Sequence, residues 1–176
     1  MADLQSYNAK ICYTITGFLI HDNKILLIKH KKAGIWLCPG GHIEENELPH
    51  QAVEREFLEE TGIKAQAISS GLQINDSSRE TVPAPFHMNL HWVCQDNYEH
   101  RVHGSTLTQY AKKHWSKGCE MHFGMSYLMQ IVGDNTYTQN VEETDGIGWF
   151  SKKEASELLT EKMIREEMLF AFSQSV

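Results

Sequence analysis

No stretch of the 176-residue sequence is long and apolar enough to span a bilayer. The first ten residues, Met1 to Lys10, are polar and include Asp3, without the basic start or apolar centre of a secretory signal. A cytoplasmic location is therefore expected, with no membrane partner. Basic residues are the minority: 16 Lys and Arg stand against 23 Asp and Glu, a net charge of −7. That balance argues against a stable nucleic-acid complex and leaves room only for a local basic patch. Cysteine is scarce. Cys12, Cys38, Cys94 and Cys119 contain no C-x-x-C pair, so the zinc-ribbon and redox signatures are missing. Free thiols in a reducing compartment are the expectation for all four. No repeat, low-complexity tract or linker interrupts the chain, and residues 1–176 are expected to form one domain.

What is present is an ordinary globular composition, 41% hydrophobic and 22% charged. Residues 11–20 are rich in β-branched and aromatic side chains and predict a strand. His21 to Lys24 is a turn cluster, and residues 25–29 return as the second strand of a hairpin. Ile35-Trp36-Leu37 is a short strand running into Pro39-Gly40-Gly41. Residues 46–61 predict a helix with Asn46 as N-cap, Pro49 in the first turn and Gly62 as a left-handed end. Residues 65–71 are a weak strand candidate, 86–94 and 122–132 stronger ones. Between these two lies a polar stretch, 95–120, with a short helix expected at 106–115. Gly146 to Phe150 ends a last strand. Ser151 then caps a helix, with Glu154 completing a capping box. Residues 160–172 form a C-terminal helix. Strands separated by helices imply a layered α/β architecture.

The helix at 46–61 carries the unusual chemistry. Val53 and Phe57 make a buried stripe. Glu56, Glu59 and Glu60, spaced i, i+3, i+4, share another face. These like charges repel, and they crowd the helix C-terminus, where the macrodipole disfavours them. A bound divalent cation would relieve the conflict, and oxygen-only ligands suit Mg²⁺, with Mn²⁺ as a substitute. Three glutamates alone would equally describe a solvated acidic face.

The residues around them decide between the two. Gly41, Glu47, Arg55, Glu56, Phe57, Glu59, Glu60, Gly62 and Ile63 meet every fixed position of G-x5-E-x7-R-E-U-x-E-E-x-G-U, U being apolar. The run from Gly41 to Ile63 resembles the Nudix box, and the chain is similar to MutT-like Nudix hydrolases. The resemblance implies an α/β/α sandwich with a mixed β-sheet and the box as a loop-helix-loop. It implies metal-dependent hydrolysis of a diphosphate linkage in a nucleoside diphosphate derivative, giving a nucleoside monophosphate and a second phosphorylated product. By position, Glu56, Glu59 and Glu60 would bind the metal, joined by the carbonyl of Gly40. Glu56 would be the general base, Glu47 would act through water or a neighbouring ligand, and Arg55 would orient a carboxylate. Members of the family often add a ligand or base from a later loop. Val141 to Asp145 is the candidate here, with Glu143 ahead of Glu142.

The alternative is a ligand-binding or sensing domain on the same fold, but such domains have decayed boxes and this one is intact. An isomerase on this fold would carry a cysteine-bearing signature that is missing. The partner is expected to be a small nucleotide, and the chain a monomer or homodimer. Its subtype is open. The ADP-ribose type has a proline where this chain has Ser78, and the dinucleoside polyphosphate type a tyrosine where it has Glu80. Pro83 and Pro85 are out of place, and no coenzyme A signature appears upstream. Outside the box, His87, Asn89 and His91 would share one strand face and line the cleft. No spacing motif supports zinc there. His42 occupies a variable box position, with no catalytic role expected. Arg101, Lys112, Lys113 and Lys117, with Tyr110 and Trp115, suggest a substrate lid over 95–120.

Overall fold

The computed structural model describes residues 8–69, 73–104 and 118–174. β1 (Ile11–His21) and β2 (Lys24–His30) form the expected hairpin. Asp22 and Asn23 close it in the left-handed region, at φ 47° and 57°, which is the requirement of a tight two-residue turn. β1 and β2 are register partners only near the turn, at Ile20–Ile25 and His21–Lys24, and then part company. β1 continues parallel to β7 (Met121–Ile131), from Ile11–Met121 to Leu19–Met129. β2 continues between β3 (Trp36–Leu37) and β8 (Thr144–Ser151), antiparallel to both. β4 (Gly40–His42) enters the opening and pairs with β1. β5 (Ala65–Ile68) and β6 (His87–Trp92) both pair antiparallel with β7.

The sheet is mixed and open, with helices on both faces. α1 (Pro49–Thr61) buries Ala52, Val53 and Phe57 against Ile15, Leu19, Met125, Tyr127 and Met129. Gly17 faces α1, and a β-carbon there would press on Phe57 and Val53. On the other face, α3 (Lys152–Leu158) and α4 (Lys162–Gln174) bury Ala155, Met168, Ala171 and Phe172 against Phe18, Ile25, Leu27 and Leu128. Alternating side chains of β1 thus feed two separate cores. Ser151 caps α3 by accepting from the Glu154 amide while the Glu154 carboxylate accepts from the Ser151 amide.

Three expectations are corrected. α1 starts at Pro49, with Leu48 as N-cap, and the Gln51 side chain accepts from the Leu48 amide. Asn46 sits at φ 63° in the turn before it. A short polar residue suits that conformation as well as it suits a cap. Second, Cys12 and Cys119 form a disulfide. The parallel pairing of β1 with β7 brings together two cysteines 107 residues apart, which local spacing does not reveal. Cys38 and Cys94 are free thiols, Cys38 buried. Third, the polar stretch after β6 opens with a helix, α2 (Gln95–His103), ended by Gly104 at φ 69°. The helix expected at 106–115 lies outside the described residues.

Candidate functional site

The site is built where β1 and β2 diverge. The Pro39 carbonyl accepts from the Gly17 amide, which anchors the strand carrying Gly40, Gly41 and His42. A β-carbon on Gly40 would overlap the Ile15 carbonyl, and one on Gly41 would overlap the Glu56 carboxylate. Gly40 is therefore required by close approach to backbone, whereas a side chain at Gly41 would displace the Glu56 carboxylate. α1 leans over this strand, so the glutamates on its exposed face look onto Gly40 and Gly41.

Arg55 organises that face. Its Nε and Nη2 donate to the two oxygens of Glu47, at 2.7 and 3.0 Å. Nη1 donates to Glu56 Oε1 at 2.9 Å and to Glu59 Oε2 at 3.1 Å, and Nη2 also donates to the His42 carbonyl at 3.1 Å. Bidentate and charge-assisted, these bonds pull the Glu47 carboxyl below its usual range. They do not relieve the rest of the cluster. Glu60 is buried, and its Oε2 accepts from the Gly40 amide at 2.9 Å. Burial dominates, and with the charges of Glu56, Glu143 and Glu59 it pushes the Glu60 carboxyl up to about 8. Burial also raises Glu56, with Arg55 opposing and Glu59 and Glu143 adding to it. One guanidinium bonds to three carboxylates and leaves Glu60 to the Gly40 amide.

A cleft of about 480 Å³ opens on this face. Gly40, Gly41, Glu56, Glu60, Glu142 and Glu143 line it. The loop after β7 brings in the last two by docking on the C-terminal end of α1. The Thr138 amide donates to the Thr61 carbonyl, the Asn140 amide to that of Glu60, and Asn140 Nδ2 to that of Glu59. Helix carbonyls without intrahelical partners are thereby satisfied. The Asn140 carbonyl and side chain then accept from the amides of Glu143 and Glu142. Asn140 is a positioning residue that sequence reasoning missed. Its setting, between a strand and two acidic residues, is common to many turns.

Other expectations divide. His87 does not line the cleft, because its Nδ1 is held by Glu167 of α4 at 2.6 Å. Asn89 and His91 bond to each other at 2.7 Å and also lie away from it. Arg101 is paired with Glu120 through two bonds, so it lends no free charge to a phosphate patch. Tyr110, Lys112, Lys113, Trp115 and Lys117 lie outside the described residues. The basic groups lining the cleft are instead Lys31 and Lys32, with His30, after β2. Cys119, His42 and His122 line it from the other side. Neither group fills a fixed motif position, and the fold rather than local spacing brings them to the site.

A family model described as NUDIX domain matches residues 13–172. An ADP-ribose pyrophosphatase from Methanocaldococcus jannaschii is 41% identical over 66 residues, 35% of this chain and 39% of that protein. A putative 8-oxo-dGTP diphosphatase from Bacillus subtilis is 41% identical over 56 residues, 30% of this chain and 38% of that protein. The matched stretches thus span about two fifths of these curated relatives. In three dimensions the chain resembles a NUDIX-family hydrolase from Clostridium perfringens, with TM-score 0.66 and 23% identity over 92% of this chain and 95% of that one. It also resembles the dihydroneopterin triphosphate pyrophosphohydrolase of E. coli, with TM-score 0.64 and 14% identity over 95% and 99%. At such identities the likeness speaks for the fold.

Proposed function

The chain belongs to the NUDIX family, and from that premise we propose that it is a Mg²⁺-dependent pyrophosphohydrolase acting on a nucleoside diphosphate derivative. The observation that carries this reading is the crowding of Glu56, Glu60 and Glu143 around a cleft, with the charge of Glu59 beside them and Arg55 bonded, among these four, to only Glu56 and Glu59. A carboxyl held at about 8 binds a proton at neutral pH unless a cation takes the proton's place. The donors are all hard oxygens, which fits Mg²⁺ and equally Mn²⁺. Glu56, Glu59 and Glu60 would hold the ion, with the Gly40 carbonyl. When bound, the ion neutralises diphosphate charge and makes a water more acidic.

The chain's own groups do the rest. Glu56 faces the cleft and accepts the proton of the attacking water, while Arg55 keeps its other oxygen fixed at 2.9 Å. Glu47 holds the Arg55 fork in place. Glu143, delivered by the Asn140 turn, adds a further carboxylate on the facing side. Lys31 and Lys32 at the rim complement phosphate oxygens. The products are a nucleoside monophosphate and a second phosphorylated group. The relatives named above suggest ADP-ribose and oxidised deoxyguanosine triphosphate as the first substrates to try.

The test is product release from a panel with Mg²⁺, with Mn²⁺ and with chelator. The panel holds ADP-ribose, NADH, diadenosine polyphosphates, nucleotide sugars and deoxynucleoside triphosphates including oxidised guanine. Metal-dependent cleavage of one member, abolished in Glu59→Gln, is the expected result. A folded protein that binds these nucleotides and cleaves none, with either metal, would overturn the hydrolase reading in favour of a binding domain.

A further inference from the structure

Cys12, His42 and Cys119 bring one ligand atom each to within 4.8 Å of one another. Among the described residues no other His, Cys, Asp or Glu trio is that close. The sheet register creates the cluster. Cys12 on β1 is the partner of His122 on β7, and Thr14, two residues on, is the partner of His42 on β4. Partners across a ladder share a face, as do alternate residues along a strand. Cys12, His42 and His122 therefore project to the same side. The His42 and His122 rings lie 5.0 Å apart, edge to face. His122 Nε2 is buried and has no hydrogen-bond partner among the described residues. An orphaned ring nitrogen on the same face as this cluster needs an explanation, because buried polar atoms are normally satisfied.

A disulfide alone accounts for the two sulfurs and leaves the His122 nitrogen without a partner among the described residues. A borderline-soft metal ion accounts for the sulfurs and the His42 nitrogen together. Tetrahedral zinc takes Cys sulfur at about 2.3 Å and His nitrogen at about 2.0–2.1 Å, which sets N and S of one site about 3.5 Å apart. His42 Nε2 lies 3.5 Å from Cys119 Sγ. Cys119, His42 and His122 line the cleft, so an ion has a route in. We propose that, once the disulfide is reduced, Cys12, Cys119 and His42 form a zinc-class metal site, with the fourth position open to water or to the His122 ring packed against His42. It is distinct from the oxygen-only glutamate set, and sulfur and imidazole select a different metal from the one carboxylates select.

The chemistry balances. A dithiol reductant supplies two electrons and two protons, the Cys12–Cys119 bond breaks to two thiols, and the reductant leaves as its own disulfide. The ion then displaces both thiol protons to solvent. The site is independent of hydrolysis, so its test need not involve turnover.

Full-length protein, reduced with a dithiol and freed of metal by chelator, is titrated with Co²⁺ and then with Zn²⁺. One equivalent of Co²⁺ should give a thiolate-to-cobalt charge-transfer band together with the visible bands of tetrahedral cobalt, and Zn²⁺ should abolish both. The unreduced protein should show neither. Cys12→Ser and Cys119→Ser should remove the charge-transfer band or cut it by about half. His42→Ala, which leaves the sulfurs and the strands in place, should weaken affinity about tenfold or more. Glu59→Gln should leave the bands unchanged, which separates this site from the glutamate set. Cobalt binding without a charge-transfer band, or equal binding by reduced wild type and His42→Ala, would overturn the proposal.

Discussion

Glu56, Glu59 and Glu60 come from a single stretch of α1, whereas Cys12, His42, Cys119 and His122 come from β1, β4, the residues leading into β7 and β7 itself. Glu56 and Glu60 of the first set and His42, Cys119 and His122 of the second line the same cleft. One is hard and charged, with Arg55 bridging Glu56 and Glu59. The other is borderline-soft and is held together by strand register. The difference teaches that helical periodicity gathers side chains from neighbours in sequence, whereas this sheet gathers them from distant segments. The two sets should therefore fail separately. Glu56→Gln is expected to lower kcat by about 10²–10⁴-fold, the usual weight of a lost general base, while leaving the cobalt charge-transfer band of the reduced protein intact. Retained hydrolysis would remove Glu56 from its role. Loss of the band would mean that the two sets are one site.

That contrast also explains what could be read from the sequence. The box helix, its buried stripe of Val53 and Phe57 and its Gly62 end follow from spacing alone and are found in place. So are the β1–β2 hairpin and the Ser151–Glu154 cap. Glu143 could be picked out only as an acid in a late loop, and its arrival at the cleft depends on Asn140 docking on the carbonyls of Glu59 and Glu60. The Asn46 expectation failed because a cap and a left-handed turn favour the same residue. The reading of four free thiols failed because a parallel strand pair has no local signature. His87 was drawn away from the cleft by Glu167, a buried carboxylate on a helix far along the chain.

The two sets also bend stability with pH in opposite directions. The Glu60 carboxyl is raised to about 8 by burial, so from its ordinary 4.5 upward the folded state holds a proton that the unfolded chain has released. Stability therefore falls as pH rises through that window and levels off above about 8. The His122 ring is lowered to about 4, by burial first and then by His42 and His91, against an ordinary 6.5. Here the unfolded chain binds the extra proton, and stability rises between about 4 and 6.5. In metal-free protein the two slopes oppose each other up to about pH 6.5, and beyond it only the fall remains. Melting temperature measured from pH 5 to pH 9 in chelator should be nearly level at first and then decline, a change on the order of a few kcal/mol. In His122→Ala the decline should begin near pH 5. Added Mg²⁺ should raise the melting temperature more at pH 8 than at pH 5. Equal stabilisation at both would mean that Glu60 does not exchange its proton for the ion.

The smallest expected effect tests whether the two sets are mechanically joined. Arg55 bonds to Glu47, Glu56 and Glu59, and also to the main-chain carbonyl of His42. Its side chain thus touches the glutamates directly and the strand that carries the imidazole. Lysine keeps the charge but places three donors at one point, and it cannot hold Glu47 by two oxygens while reaching the other acceptors. Arg55→Lys is expected to lower kcat about tenfold, within the range seen when a partner of a metal ligand is lost, and to raise the Mg²⁺ concentration needed for half-maximal rate. If the sets share only the cleft, cobalt affinity of the reduced protein should not change. If the bond to His42 couples them, the cobalt bands should shift in Arg55→Lys and remain unshifted in Glu59→Gln, which breaks an Arg55 contact on the glutamate side alone.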